Sequence, residues 1–399
     1  MRVLLLTDMP PCRNFTAGIV LEQLCSFLPE GSVGCFAVVN PALHPEVPPG
    51  LAAMPMETIR KPRETWGTLR RPLGLAMSLA MEAVHSVFTV RRIVRRATRF
   101  GRRFRPDALW CTLEGQTMIR LARPAARSLG LPLFTQVWDP PTWWLREHKV
   151  NRVTASQVLR EFARAVRTSV GCATASWAMA EEYGRKYGTR TVPVIPSLDL
   201  SWAQPPAQAP HPGDEFIIGV AGQLYASAEW SAFIRALDSA NWRIADRQVR
   251  IVLLGRYFTF ETSKSAHIEY LGWRPQQETI DILSRMDVLY CPYWFDRAFE
   301  AEARLCFPSK LTSYLAAGRP VLFHGPGYAS PSRFLEENKA GVCCNSLDSS
   351  ALLGHLQQLA CDRQLYEQTA RNGRRALELH LSLPRMRESF LRFLDTLSR

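Results

Sequence analysis

Short apolar runs alternate along this chain with longer stretches in which apolar residues recur every three or four positions. A brief, nearly continuous apolar run bounded by turn formers suits a strand buried on both faces. The longer pattern suits a helix lying over such strands. In the first half, runs at 2–7, 33–39, 108–113, 133–137, 172–175 and 191–195 predict strands, with helices at 19–28, 116–129 and 155–166. In the second half, strands fall at 216–221, 249–254, 267–271, 288–291, 320–323 and 341–343. Helices there fit 231–240, 277–285, 309–317, 330–338 and 350–361, and a last helix covers 383–399. This βαβ rhythm predicts an α/β protein with parallel sheets, doubly wound and Rossmann-like. The opening MRVLLLTDMP reads as the first strand rather than a leader, because its apolar run is short.

Six prolines crowd residues 193–213. Proline lacks an amide donor and restricts the residue before it, so this stretch suits neither helix interior nor central strand. It divides the chain into an N-terminal domain, 1–200, a Pro-rich linker, 201–213, and a C-terminal domain, 214–382. The terminal helix, 383–399, is expected to pack back on the N-terminal domain.

Composition narrows the classes. With 399 residues, 47% of them hydrophobic and 21% charged, the chain is globular rather than disordered or fibrous. Its ten cysteines form no CxxC pair and its eight histidines no HExxH, so free buried thiols and no metal site are expected. The 49 Lys and Arg against 36 Asp and Glu leave a net charge of +13, which favours an anionic partner. Residues 58–105 hold thirteen of the basic residues and two acidic ones, nearly the whole excess. Within the amphipathic segment 72–105, Arg92, Arg95, Arg96 and Arg99 share a helical face. They follow a stretch in which Met77, Met81, Val84 and Phe88 share another. Apolar side chains running into arginines suit an anionic membrane surface. A solvated face on a core helix is the plain alternative. No aromatic ladder interleaves the arginines, which argues against nucleic acid.

The most informative stretch is Phe307-Pro308-Ser309-Lys310, continuing through Ser313 and Tyr314 to Gly318-Arg319-Pro320-Val321. Proline and serine open a helix, glycine closes it, and proline leads into the next strand. A helix start and an early lysine together suit a phosphate. Ala221-Gly222-Gln223-Leu224-Tyr225, Leu254-Gly255-Arg256 and Tyr270-Leu271-Gly272-Trp273 each follow a predicted strand in the same half. In the first half, Gly18, Leu113-Glu114-Gly115 and Trp138-Asp139-Pro140 fall at strand ends or the loops after them. His324 also stands at a strand end.

These motifs resemble the family-4 glycosyltransferases, whose GT-B fold sets two Rossmann-like domains face to face. The resemblance is most specific at 307–321. It implies a hexosyltransferase, retaining and metal-independent, that moves a sugar from a UDP- or GDP-sugar to a glycan or lipid-linked acceptor, as in polysaccharide or glycolipid assembly. It needs no cofactor besides that donor. By resemblance the donor side comprises Gly222, Gln223, Arg256, Trp273, Ser309, Lys310 and Ser313. The acceptor side comprises Gly18, Trp138 and Asp139, with Asp139, Lys310 and Glu114 as catalytic candidates. The free thiols and the basic segment, rather than the resemblance, suit a cytoplasmic protein, peripheral on the inner face of the plasma membrane. One departure stands out. The family's two glutamates, with seven residues between them, fall here on Leu305 and Ser313, leaving Glu300 or Glu302 as a shifted carboxylate. The alternatives are an epimerase or hydrolase of nucleotide sugars on the same fold, and a catalytically degenerate scaffold at the membrane.

Overall fold

The computed structural model describes residues 1–64, 72–223, 225–255, 262 and 265–395. Arg256, Leu224 and the last four residues of the expected terminal helix lie outside the described residues. The chain divides into two compact units, Met1–Val194 with Arg387–Arg399, and Ile195–Met386.

The first unit is built on seven strands: β1 (Val3–Thr7), β2 (Val33–Val39), β3 (Met56–Arg60), β4 (Ala108–Thr112), β5 (Leu133–Val137), β6 (Gly171–Thr174) and β7 (Thr191–Pro193). They form one parallel sheet in the order β3-β2-β1-β4-β5-β6-β7. β1, β2, β4, β5 and β6 are buried throughout, which is why they stand out as apolar runs. β3 escapes the sequence pattern because it is an edge strand, with Ile59 its one buried residue. The helices are α1 (Thr16–Ser26), α2 (Pro72–Val84), α3 (Val90–Phe104), α4 (Gly115–Leu129), α5 (Pro141–Glu147), α6 (Arg152–Thr168) and α7 (Trp177–Tyr187). A π-helical turn, His85–Thr89, joins α2 to α3.

The second unit contains β8 (Glu215–Ala221), α8 (Ser227–Ser239), β9 (Arg243–Ile244), β10 (Arg247–Leu254), β11 (Ile268–Tyr270), α9 (Gln276–Leu283) and β12 (Val288–Pro292). It continues through α10 (Glu300–Leu305), α11 (Lys310–Ala316), β13 (Val321–His324), α12 (Ser330–Asn338), β14 (Val342–Cys344), α13 (Ser349–Cys361) and α14 (Arg363–His380). Its parallel sheet runs β11-β10-β8-β12-β13-β14, with the short β9 antiparallel on β10. In both units the first and fourth parallel strands are neighbours at the sheet centre. The connections therefore reverse direction there, and loops at the strand ends open outward at that point.

The Pro-rich stretch is bound into the second unit. Gln204 and Ala207 donate backbone hydrogen bonds to the carbonyls of Ala316 (2.7 Å) and Gly318 (2.9 Å). Gly318 has φ +69°, and a Cβ there would stand 2.4 Å from the Pro205 oxygen, so the helix stop and the Pro-rich segment fit through a bare backbone. The terminal helix, α15 (Leu383–Leu394), belongs to the first unit from Arg387 on. There Phe390 meets Trp110 (ring centroids 5.0 Å) and Phe393 meets Phe134 edge-on (5.2 Å). All ten cysteines are free and eight are buried.

Candidate functional site

In the second unit, the loops after β8, β10 and β11 close on one another through glycines. The Gly222 amide donates to the Leu254 carbonyl (2.8 Å), and the Gly255 amide to the Gly272 carbonyl (2.9 Å). Gly255 has φ +143°, and a Cβ there would lie 2.4 Å from the Gly222 oxygen. Only glycine meets both conditions. Gly255→Ala should therefore destabilise the protein by about 2–4 kcal/mol, combining backbone strain with a backbone clash. A melting temperature equal to the parent's would contradict this packing.

The same loops expose a floor on which Lys310 rests. Its Nζ donates to the Gln223 carbonyl (3.0 Å) and lies 4.2 Å from the centre of the Tyr225 ring. Its stem passes across Gly222, where a Cβ would be 3.6 Å from Cε. The helix carrying it is locked beneath β8. The Ala221 amide donates to the Tyr314 hydroxyl (2.8 Å), which sits within hydrogen-bond reach of the Tyr290 carbonyl (3.3 Å). No carboxylate among the described residues pairs with Lys310. Burial pushes its pKa down to about 8, opposed only by the Cys291 thiol nearby. Among the described residues, the site holds a cation and no counter-ion.

The helix start contributes less than its sequence suggests. α11 begins at Lys310 rather than Ser309, and the amides of Leu311 and Thr312 are taken by the Pro308 (2.9 Å) and Ser309 (3.2 Å) carbonyls. The phosphate-seeking feature is the lysine. Ser309 is half-buried at the N-cap, with no side-chain cap hydrogen bond. Ser313 is buried one turn on and accepts from Gln276 Nε2 (3.3 Å). Trp273, after β11, is 63% exposed, so core packing does not account for it. Glu302 is buried and Glu300 exposed, which leaves Glu300 the more accessible of the two carboxylates. His324 is committed to the interior. Its Nδ1 meets the Tyr290 hydroxyl (2.7 Å), its Nε2 meets the Ser346 carbonyl (2.9 Å), and burial lowers its pKa to about 4.

Three residues absent from the sequence-derived set shape this floor. Tyr225 stacks on Trp294 (4.6 Å, 26°), and Trp294 on Phe299 (5.1 Å, 7°). Glu229, buried in the first turn of α8, accepts from the Phe295 amide (2.6 Å) and pins the loop after β12. Tyr225 could have been recognised, since it is the last residue of the glycine motif itself. Glu229 and Trp294 carry no sequence signal, because their role depends on which loops meet.

In the first unit, charged residues gather at the strand ends. Asp8 follows β1, Lys61 follows β3, Glu114 follows β4 and Asp139 follows β5. Lys61 Nζ lies 3.4 Å from Asp8 and 3.4 Å from Glu64. Glu64 in turn accepts from the Thr117 amide (2.7 Å) in the first turn of α4. Gly115, at φ +72°, lets them approach, since a Cβ would stand 2.7 Å from Glu64 Oε2. Burial, reinforced by the charges of Asp8 and Asp139, raises the Glu114 pKa well above the ordinary carboxylate value, and Lys61 only partly offsets this. Burial also raises Asp8. With both Asp8 and Glu114 raised beside a single ammonium, this cluster can hold and release a proton. Trp138 and Asp139 are half-buried beside it in sequence. Gly18 has a packing role, as a Cβ there would meet Cys12 Sγ at 2.0 Å. Asp8, Lys61 and Glu64 were missed by sequence reasoning. Asp8 was accessible to it, as the first charged residue after the opening strand.

The arginines of α3 point outward while Ile93, Val94, Ala97 and Phe100 face the core. Arg96 is held by Glu57 (2.9 Å), as is Arg103 (3.0 Å). Arg92, Arg95 and Arg99 make no ion pair among the described residues. None of the described helices is long and apolar enough to cross a membrane, and no group of three or more His, Cys, Asp or Glu among the described residues is placed to hold a metal ion.

No protein-family model and no curated protein matches the sequence. Solved structures do match the fold. HepE of Anabaena, solved with UDP, aligns over 99% of this chain and 100% of its own, with a TM-score of 0.64 at 14% identity. Sucrose-phosphate synthase of Thermosynechococcus elongatus aligns over 100% and 99%, with a TM-score of 0.69 at 13% identity. The α,α-trehalose-6-phosphate synthase of Burkholderia multivorans aligns over 100% and 99%, with a TM-score of 0.66 at 14% identity. These likenesses establish the fold as GT-B, an α/β fold of two Rossmann-like units.

Proposed function

We propose that this protein is a glycosyltransferase that takes its sugar from a nucleotide-diphosphate donor. The observation that carries this reading is Lys310, a half-buried ammonium with no carboxylate partner among the described residues, laid across glycine loops at the strand ends of a Rossmann-like sheet. A diphosphate is the counter-ion such a site lacks. Two neighbours of the same fold point the same way: HepE was solved with UDP and with UDP-glucose, and a trehalose-phosphate synthase of Burkholderia vietnamiensis is described as UDP-forming.

In this reading Gly222 and Gln223 allow the phosphates to approach the backbone, and Ser309 adds a hydroxyl. Trp273 offers its exposed face to the base, while Ser313 and Gln276 offer neutral hydrogen-bonding groups to the ribose. The bond from the anomeric carbon to the diphosphate oxygen breaks, and a bond to an acceptor hydroxyl oxygen forms. Negative charge grows on the departing diphosphate, where Lys310 stabilises it without a metal ion. The acceptor's proton passes to a base, for which Glu114 or Asp139 is the candidate by family resemblance. The acceptor is a glycan or lipid-linked sugar, and retention of configuration follows the family resemblance.

The test is a thermal-shift screen of nucleotides and nucleotide sugars, followed by product analysis. A nucleoside diphosphate should raise the melting temperature by mass action. Absence of any shift at millimolar nucleotide would overturn the donor site. Release of free sugar at an undiminished rate, with no transfer to any acceptor, would replace the transferase by a hydrolase. A pH dependence follows from Lys310. Its charged form binds the donor, so affinity should stay level below about pH 7 and fall as pH rises through about 8. Calorimetric titration of UDP across that range checks it, and a flat profile removes the lysine from the site.

A further inference from the structure

The helical stretch from α2 through the π turn is built inside out. Along it Ser78, Glu82 and His85 are buried, while Met77, Met81, Val84, Val87 and Phe88 face solvent, the last at 70% exposure. A surface helix ordinarily presents the reverse. The buried groups hold it this way round. Ser78 Oγ accepts from Asn151 (3.3 Å), Glu82 Oε1 accepts from Gln116 (3.2 Å), and His85 Nε2 meets the Thr117 hydroxyl (3.4 Å). Rolling the apolar face inward would strand these polar groups. An exposed apolar stripe of this kind marks an interaction surface.

Directly after the stripe, Arg91, Arg92, Arg95, Arg99 and Arg102 of α3 are exposed and make no ion pair among the described residues. Beside them opens a cavity of about 550 Å³, within the usual range for small-ligand sites. Its walls include Ser86, Arg91, Arg95, Arg120, Gln157 and Glu161. Arg120 is only 8% exposed, and among the described residues its Nε and Nη2 have no hydrogen-bond partner. The nearest ion-pair contact is Glu82, at 4.0 Å. Glu161 is already engaged by Arg164 (2.7 Å) and Arg123 (3.7 Å). A buried guanidinium with idle donors, in a cavity walled by two further arginines, calls for an oxyanion.

We propose that this face docks on an anionic membrane, the apolar stripe entering the interface and the arginine cavity taking the phosphate headgroup of a bilayer lipid. Ser86 and Val90 belong to the cavity wall, and Val87 and Phe88 between them in sequence belong to the stripe or extend it. A lipid supplies both chemistries at that spacing, whereas a free phosphate accounts for the cavity alone. This inference rests on the first unit only and does not depend on the donor reading.

Co-sedimentation of the full chain with vesicles tests it. Binding is expected to vesicles of phosphatidylcholine mixed with phosphatidylglycerol, and to be much weaker with phosphatidylcholine alone. Raised salt should weaken it further. Arg95→Glu and Arg120→Gln should each reduce binding by roughly five-fold or more. Phe88→Ser, a surface change that leaves the fold intact, should also reduce it, and melting curves check that Arg120→Gln remains folded. The proposal fails if anionic vesicles do not bind the folded protein, or if Phe88→Ser and Arg120→Gln bind as the parent does. It also fails if glycerol phosphate raises the melting temperature through Arg120 while vesicles leave the protein in solution. Dissociation by Phe88→Ser of a dimer that ignores vesicles would assign the stripe to a second copy instead.

Discussion

Lys310→Met should weaken UDP binding by roughly 10–100-fold, the worth of a charge-assisted hydrogen bond at about 1.5–3 kcal/mol. Turnover should fall further, by about 10²–10³, because the charge on the departing diphosphate is largest in the transition state. The variant's stability separates this from a folding defect. Lys310 is held at about pKa 8 against an ordinary 10.5, so its charged form is disfavoured by the fold. That cost is present in full below about pH 8 and disappears as pH rises towards 10.5. Without ligand, the methionine variant should melt no lower than the parent at pH 7, and any advantage should shrink above pH 8. Calorimetry with UDP and melting curves at several pH values check both halves. An unchanged affinity would mean the lysine's counter-ion lies elsewhere.

Glu114→Gln should leave UDP binding intact, since Glu114 belongs to the first unit, and lower kcat by about 10²–10⁴, as expected for loss of a general base. The raised pKa of Glu114 adds a stability signature. Its folded form holds a proton that the unfolded chain has lost, so stability falls as pH rises from the ordinary value of 4.5 towards the raised one. Glutamine removes that penalty. The variant should melt higher than the parent at pH 7, with the difference vanishing below about pH 4. Full activity with a higher melting temperature would make Asp139 the better base. With both groups in place, kcat/KM should rise as the carboxyl cluster ionises and fall again near pH 8 as Lys310 loses its proton. Removing either group should erase its own limb.

The parallel strands were legible because burial on both faces leaves little room for polar residues, as in VLLLT and VGCFAVV. β3 was not legible, because METIR lies at the sheet edge and buries only Ile59. Lys310, Gly222 and Glu114 were legible for a different reason. Each stands at a fixed distance from a strand or helix end, and such positions in a doubly wound sheet carry chemistry. Asp8 lies far in sequence from the neighbouring Lys61 and Glu64, and only the order β3-β2-β1-β4 gathers them. The expectation that a crown of helix amides would hold the phosphates was too generous. Pro308 and Ser309 already occupy two of those amides through their carbonyls.

The amphipathic segment shows the division most sharply. Its spacing announced an apolar face and a basic face, and that much is a property of the helical repeat. Which face turns inward depends on what the helix meets. Here Asn151, Gln116 and Thr117 offer hydrogen bonds that Ser78, Glu82 and His85 can satisfy only by facing them. The chain's local patterns thus determined its buried strands, many of its helices and part of the set of residues eligible for chemistry. Which polar groups lost water, and which were left without a partner, was decided by tertiary packing, because desolvation is set by neighbours distant in sequence.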